Sequence, residues 1–233
     1  MEFQDRHVVV TGGTGALGAA VVETLLAAGA TCHVPWMVEG ELKRFAQGGN
    51  PRVRLVQVPT LSDEAAVAAL YDAVPGLWAS VHLVGGFAMA PVAETAKAAL
   101  MQQVEMNFIT CFLCCSAAVR AIGRAKAGGR IVNVAARPAL EWRAGAGMAA
   151  YAASKAAVAA LTVALAEEVA KDGILVNAVA PSIMDTHANR AAMPSADHAA
   201  WPKVEEVAAT IAFLASPENK VARGAIVPVY GRV

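Results

Sequence analysis

The sequence predicts an α/β fold: one domain over residues 1–233, built on a doubly wound, seven-stranded parallel sheet with helices on both faces. Three observations predict it. Short β-branched runs alternate with longer helix-like stretches along the whole chain, as successive βαβ units do. The short runs are apolar at nearly every position, as strands covered on both faces must be. Hydrophobic residues make up 57% of the 233 and charged residues only 16%, much of the excess being alanine in the helix-like stretches. A chain of this composition and length has the material for one large core.

The elements follow in order. His7–Thr11 is an almost unbroken valine run and reads as the first strand, followed by a helix over 16–28 that Gly29 stops. Thr31–Trp36 and 53–58 are the next strands, and a helix over 63–73 starts near Leu61 or Ser62. Strand 80–84 leads to a long helix over 95–122, and strand 130–135 to a helix over 151–171 with Gly173 as its stop. Strand 174–180, a helix over Val204–Ala215 and strand 225–229 complete the pattern. Residues 182–203 fit neither period: they hold two prolines and end near Trp201. Such excursions often close over ligand sites, and Met193 and Trp201 offer apolar surface for that, although an ordinary surface loop would read the same way.

Charge narrows the choice of partner. Nineteen basic residues balance nineteen acidic ones, so no net field favours nucleic acid or an anionic membrane, and a small molecule is the expected ligand. The amino terminus lacks the basic start and apolar run of a secretory signal, which points to the cytoplasm, and no uninterrupted apolar segment reaches membrane-spanning length. Cys111, Cys114 and Cys115 share one helix face, a placement that suits packing better than bridge formation. No second Cys/His cluster offers further zinc ligands, so no metal is expected.

The chemistry begins at Thr11-Gly12-Gly13-Thr14-Gly15-Ala16-Leu17-Gly18, between the first strand and its helix. Glycines there let the backbone approach a diphosphate, and the helix start offers unpaired N–H groups with a partial positive charge. Gly12, Thr14, Gly15, Ala16, Leu17 and Gly18 are therefore candidate cofactor contacts; a tight strand-to-helix connection would need similar residues. Discrimination between NAD and NADP normally rests on a charged side chain at the end of the second strand. Pro35-Trp36-Met37 stands there instead, followed by Glu39, Lys43 and Arg44, so charge does not settle the preference. Trp36 either stacks beside an adenine or packs. Gly85 and Gly86, after the fourth strand, also permit close approach of a cofactor. His82 just before them reads as a satisfied core histidine.

Tyr151-Ala-Ala-Ser-Lys155 places a phenol and an amine four residues apart on one helix face. A nearby ammonium favours phenolate, so Lys155 is expected to lower the Tyr151 pKa from about 10 toward a range useful for proton transfer. Asn107 lies in an otherwise apolar helix, where a buried amide needs partners.

The glycine turn and the Tyr151/Lys155 spacing together resemble the short-chain dehydrogenases/reductases. Thr11, Gly12 and Gly18 match the family's TGxxxGxG pattern, with Ala16 where the middle glycine is usual. The resemblance implies a Rossmann-type fold, an NAD(H) or NADP(H) cofactor, Tyr151, Lys155 and Asn107 as catalytic residues, and Pro181 and Ile183 as further cofactor contacts. It implies a homodimer or homotetramer as well. Ala136 departs from the pattern, since the family usually carries there a serine that holds the substrate carbonyl. A narrower likeness, in Asp185, Thr186, Asn189, Arg190, Met193, Pro194, Ala196, Asp197, Trp201 and Gly147-Met148, is to dihydropteridine reductases, which also have alanine at that position. The expected activity is oxidoreduction of a small carbonyl- or imine-like substrate. Quinonoid pterin reduction and a catalytically silent nicotinamide sensor are the alternatives.

Overall fold

The computed structural model describes residues 1–232. Seven parallel strands form its centre: β1 (His7–Thr11), β2 (Thr31–Trp36), β3 (Val53–Gln57), β4 (Leu77–His82), β5 (Gly129–Val134), β6 (Ile174–Pro181) and β7 (Ile226–Val229). They lie in the order β3-β2-β1-β4-β5-β6-β7. The helices are α1 (Ala16–Ala27), α2 (Glu39–Leu42), α3 (Glu64–Asp72), α4 (Lys97–Val104), α5 (Thr110–Ala125), α6 (Arg137–Leu140), α7 (Ala149–Glu168), α8 (His187–Ala192) and α9 (Val204–Ala215).

The alternation of side chains along each strand makes two cores. Val8 and Val10 of β1 pack with Val21, Val22 and Leu25 of α1 and with Val207, Ile211 and Leu214 of α9. Val9 faces the other way, into a core shared with Val67 and Leu70 of α3, Cys114 and Ile122 of α5, and Val158 and Leu165 of α7. This period-two division is why the strands read as continuously apolar. The sheet order reverses between β1 and β4, and in doubly wound sheets the crevice at such a point, beyond the carboxyl ends of the strands, takes the ligand. The glycine turn follows β1, and residues 83–87 follow β4, on either side of that crevice.

Two sequence expectations need correction. Strand β4 starts at Leu77 and ends at His82 rather than spanning 80–84, because Leu77 pairs with His7 across a register shift. The expected continuous helix over 95–122 is interrupted: a π-helical turn over Glu105–Ile109 separates α4 from α5. The run 97–125 and Ala149–Glu168 are long and apolar enough by composition to cross a membrane, as core helices commonly are, but charged residues such as Glu105, Arg120 and Lys155 interrupt both. Their apolar side chains include Cys114, Ile122, Val158 and Leu165, which cover the sheet.

Candidate active site

At the switch point a groove of about 540 Å³ is lined by Gly12, Thr14 and Gly15 of the glycine turn, Trp36, Glu41, residues 60–62, Gly85 and Met106, among others. The turn has little latitude. Gly12 sits at φ 68°, a left-handed conformation that glycine tolerates, and a Cβ on Gly18 would stand 2.0 Å from the Gly12 carbonyl oxygen. Helix α1 starts at Ala16 with no side-chain cap, so its first N–H groups are open to an anionic ligand. A close-approach turn, an uncapped helix start and a groove along the strand ends fit a dinucleotide.

Of the expected cofactor contacts, Gly12, Thr14, Gly15, Trp36 and Gly85 line the groove. Ala16, Leu17 and Gly18 form the first turn of α1, with Leu17 and Gly18 buried. Pro181 ends β6 in a buried position, and Ile183 lies half exposed just beyond it. Glu41 was not among the sequence candidates. Its carboxylate accepts a 2.8 Å hydrogen bond from the Thr14 hydroxyl.

The loop after β4 gathers the remaining candidates. A Cβ on Gly85 would lie 2.7 Å from Asn107 Oδ1 and 3.1 Å from Lys155 Nζ, so both polar groups press against that glycine. The Gly86 N–H donates to Asn107 Oδ1 at 2.9 Å, and Asn107 Nδ2 donates back to the Gly86 carbonyl at 3.0 Å. Phe87 meets the Tyr151 ring edge-on, with centroids 5.0 Å apart. Three consecutive residues of one loop thus touch Lys155, Asn107 and Tyr151.

Asn107 occupies the π-helical turn, where the extra residue turns its side chain inward and buries it. Its amide also donates to Ser154 Oγ at 3.0 Å, and that hydroxyl donates to the Tyr151 carbonyl at 2.8 Å. Ser154 is therefore a structural link between α5's entry turn and α7 that sequence reasoning missed. Its position beside Lys155 was the only signal available.

The electrostatics differ from the sequence expectation. Lys155 is buried, which lowers its pKa to about 8, and its Nζ donates to the Val134 carbonyl at 2.8 Å. Burial pushes the Tyr151 phenol up to about 12, where the sequence reading had expected Lys155 to bring it down. The reason is geometric: the ammonium is held at the end of β5, and the phenol ring is packed beside Phe87. Tyr151 is thus a protonated acid at neutral pH. Ala136 is buried with an extended backbone just before α6, and its methyl offers no donor there.

His82 stands in a separate buried chain. Its Nδ1 is 2.8 Å from Asn133 Oδ1 and its Nε2 2.8 Å from Ser80 Oγ, which in turn meets Tyr71. Asn133 Nδ2 donates to Thr162, and that hydroxyl to the Val158 carbonyl. The fold brings His82 within 4.8 Å of the Cys111 and Cys115 sulfurs, a juxtaposition the sequence did not foresee. Both ring nitrogens are nevertheless engaged by hydrogen-bond partners, as expected of a satisfied core histidine.

Residues 182–203 carry α8, a 3₁₀ turn over His198–Ala200 and an isolated parallel bridge between Asp185 and Lys203. Trp201 is buried and lies 4.6 Å, ring to ring, from His198. Arg190 pairs with Asp185 at 2.5 Å.

Residues 6–197 match the family model described as short chain dehydrogenase. The chain belongs to the short-chain dehydrogenase family. Cis-4-hydroxycyclohexanecarboxylate dehydrogenase of Sinomonas cyclohexanicum is 35% identical, the match covering 98% of this chain and 96% of that protein. The 2,3-dihydroxy-2,3-dihydro-p-cumate dehydrogenase of Pseudomonas putida is 31% identical over 99% of this chain and 95% of its own length. Among solved structures, a short-chain type dehydrogenase/reductase from Mycobacterium ulcerans superposes with a TM-score of 0.90 at 26% identity, covering 100% of this chain and 90% of that one. This short-chain dehydrogenase is accordingly an oxidoreductase with a Rossmann-type fold that uses NAD(H) or NADP(H). The narrower likeness to dihydropteridine reductases gains nothing from these relatives.

Proposed function

We propose that this short-chain dehydrogenase interconverts a small ring alcohol and its ketone, with Tyr151 as the proton donor in the reductive direction. The observation that carries the reading is the loop after β4, whose Gly85, Gly86 and Phe87 touch Lys155, Asn107 and Tyr151 in turn. The groove would hold a nicotinamide dinucleotide, whose chemistry would be hydride transfer. Tyr151, its pKa near 12, holds a proton at neutral pH and gives it to the oxygen of the carbonyl as the carbon is reduced. Lys155, held at the Val134 carbonyl and against Gly85, has a pKa near 8 and is largely protonated at pH 7, so it leaves positive charge in the site. Asn107 positions the loop and α7 through Gly86 and Ser154. Gly12, Thr14, Gly15, Ala16, Leu17 and Gly18 would hold the diphosphate of a dinucleotide, with Trp36, Pro181 and Ile183 as its further contacts.

The ring-substrate reading rests on the surface around Tyr151 and on the relatives. Phe87 and Met89 are each 62% exposed, and a Cβ on Gly147 would lie 3.2 Å from the Met89 methyl. An apolar ring would find apolar surface there. The two curated relatives act, by their names, on a hydroxycyclohexane and a dihydrodiol. With Ala136 in place of a hydroxyl donor, Tyr151 alone serves the carbonyl oxygen. The test follows nicotinamide absorbance with cyclohexanone-type ketones, cyclic diols, linear keto acids and quinonoid dihydropterin. Turnover concentrated in the cyclic ketones or diols supports the reading; preference for linear keto acids or the pterin overturns it.

The same proposal places the enzyme in the cytoplasm as a homodimer or homotetramer. Four free cysteines suit a reducing compartment. Phe112 of α5 and Val163 of α7 remain 47% and 45% exposed, apolar surface of the kind an interface covers. Light scattering of a monomer at working concentration would contradict the assembly.

A further inference from the structure

Behind the loop 83–87 the fold assembles a buried donor set that the oxidoreductase reading leaves unused. Cys111 and Cys115 stand one turn apart on the buried face of α5, and His82 ends β4 beside them. The ligating atoms of these three residues all lie within 4.8 Å of one another. Asn133 of β5 supplies a fourth donor. Its Oδ1 is 2.8 Å from His82 Nδ1 and 3.4 Å from Cys115 Sγ, and that sulfur is 3.5 Å from Nδ1. All four residues are buried. The amide orientation is fixed by its other end: Thr162 donates its hydroxyl proton to the Val158 carbonyl, so its oxygen accepts the Asn133 Nδ2–H, which turns Oδ1 toward the histidine and the sulfur.

We propose that His82 Nδ1, Cys111 Sγ, Cys115 Sγ and Asn133 Oδ1 form a structural site for a Zn²⁺ ion. Metal–ligand bonds of about 2.0 to 2.3 Å put the edges of a zinc tetrahedron at about 3.3 to 3.8 Å, and the sulfur–nitrogen and sulfur–oxygen separations already have that length. The nitrogen–oxygen edge has to open by about 0.5 Å. Sulfur ligands exclude magnesium and calcium, and a tetrahedral set of sulfur, imidazole and oxygen suits zinc. Two thiolates balance the divalent charge, so the loaded cluster is neutral in the core. The hydrogen bond between the sulfurs makes Cys111 the acidic partner and keeps the proton on Cys115, and loading expels that proton to solvent. The imidazole stays neutral throughout. Without the ion its Nδ1–H is donated to Asn133 Oδ1; with the ion Nδ1 binds the metal and the ring proton sits on Nε2, where Ser80 Oγ accepts it at 2.8 Å. The partners that satisfy His82 as a core residue therefore also suit it as a ligand. The groove gives the way in, since its wall includes Leu83 and Thr110, the chain neighbours of His82 and Cys111. An ion here ties β4, β5 and α5 together just before the loop that touches Lys155, Asn107 and Tyr151.

The experiment dialyses the full chain, kept reduced with a phosphine, against Zn²⁺ and measures bound metal and thermal midpoint for the wild type, Cys111→Ser, Cys115→Ser and Cys114→Ser. The wild type should hold about one ion per chain and gain about 5 °C in midpoint at about 100 times the dissociation constant. Cys111→Ser and Cys115→Ser should each weaken binding by about 100-fold or more, beyond what loss of an outer partner costs. The Cys114 sulfur is bonded by Tyr71 instead, and Cys114→Ser should bind zinc as the wild type does. Cobalt(II) in the wild type gives a check that needs no variant, the expected spectrum being the intense visible bands and sulfur-to-metal charge transfer of a tetrahedral thiolate site. No bound ion, an octahedral cobalt spectrum, zinc bound equally well by Cys111→Ser and Cys115→Ser, or binding sensitive to Cys114→Ser alone would overturn the proposal.

Discussion

Replacing Lys155 by methionine should stabilise the protein at neutral pH while removing its activity, and the size of the effect follows from burial. Lys155 is 6% exposed, and its pKa falls from 10.5 to about 8 in the folded chain. Below pH 8 both folded and unfolded chains hold the proton, so the folded state carries the full cost of a buried ammonium. Between about 8 and 10.5 the folded chain releases the proton before the unfolded one does, and stability rises with pH through that window. The span corresponds to about 3 kcal/mol at about 1.4 kcal/mol per pKa unit. Methionine is of similar length and apolar, and it loses the hydrogen bond to Val134, worth about 1 kcal/mol. The variant should therefore be about 2 kcal/mol more stable than the wild type at pH 7. Urea denaturation at pH 7, 8, 9 and 10 gives the test, because the difference between the two proteins cancels every other titrating group. The advantage of the variant should shrink steadily above pH 8. A variant less stable at pH 7, or a difference that does not change between pH 7 and 10, would refute the reasoning.

Two further outcomes follow from the site. Ala136→Ser puts a hydroxyl at a buried position beside the proposed carbonyl site, and kcat for a ketone should rise about tenfold or more, checked by steady-state kinetics; no change would mean that the carbonyl does not lie there. Gly18→Ala forces a methyl to within 2.0 Å of the Gly12 carbonyl oxygen, which should cost about 3 kcal/mol of unfolding free energy, read by urea denaturation, and weaken dinucleotide binding together with it.

Much of this was legible because local patterns and the fold point the same way. β1 and β2 run as their residues read, since a buried parallel strand leaves a continuous apolar signature. Pro228, unusual in a strand, is tolerated because β7 is an edge strand paired only with β6. The π turn at Asn107 was not legible: α-helical periodicity predicts one helix across 95–122, and one added residue leaves little trace in composition. The contacts that build the site were hidden for a different reason. Thr14 and Glu41 are 27 residues apart, and Asn107 and Ser154 are 47 apart, so only the sheet order brings them together. The same is true of the upward shift at Tyr151. Sequence spacing showed that a lysine was near, but not that its ammonium is engaged by Val134 while burial governs the phenol.

The claim that Tyr151 delivers the proton is tested most directly by single-turnover reduction of a cyclic ketone, comparing wild type with Tyr151→Phe at saturating reduced cofactor. The account predicts an unchanged dissociation constant for the dinucleotide and a rate lower by about 10²- to 10⁴-fold in the variant. A rate within twofold of the wild type would contradict it.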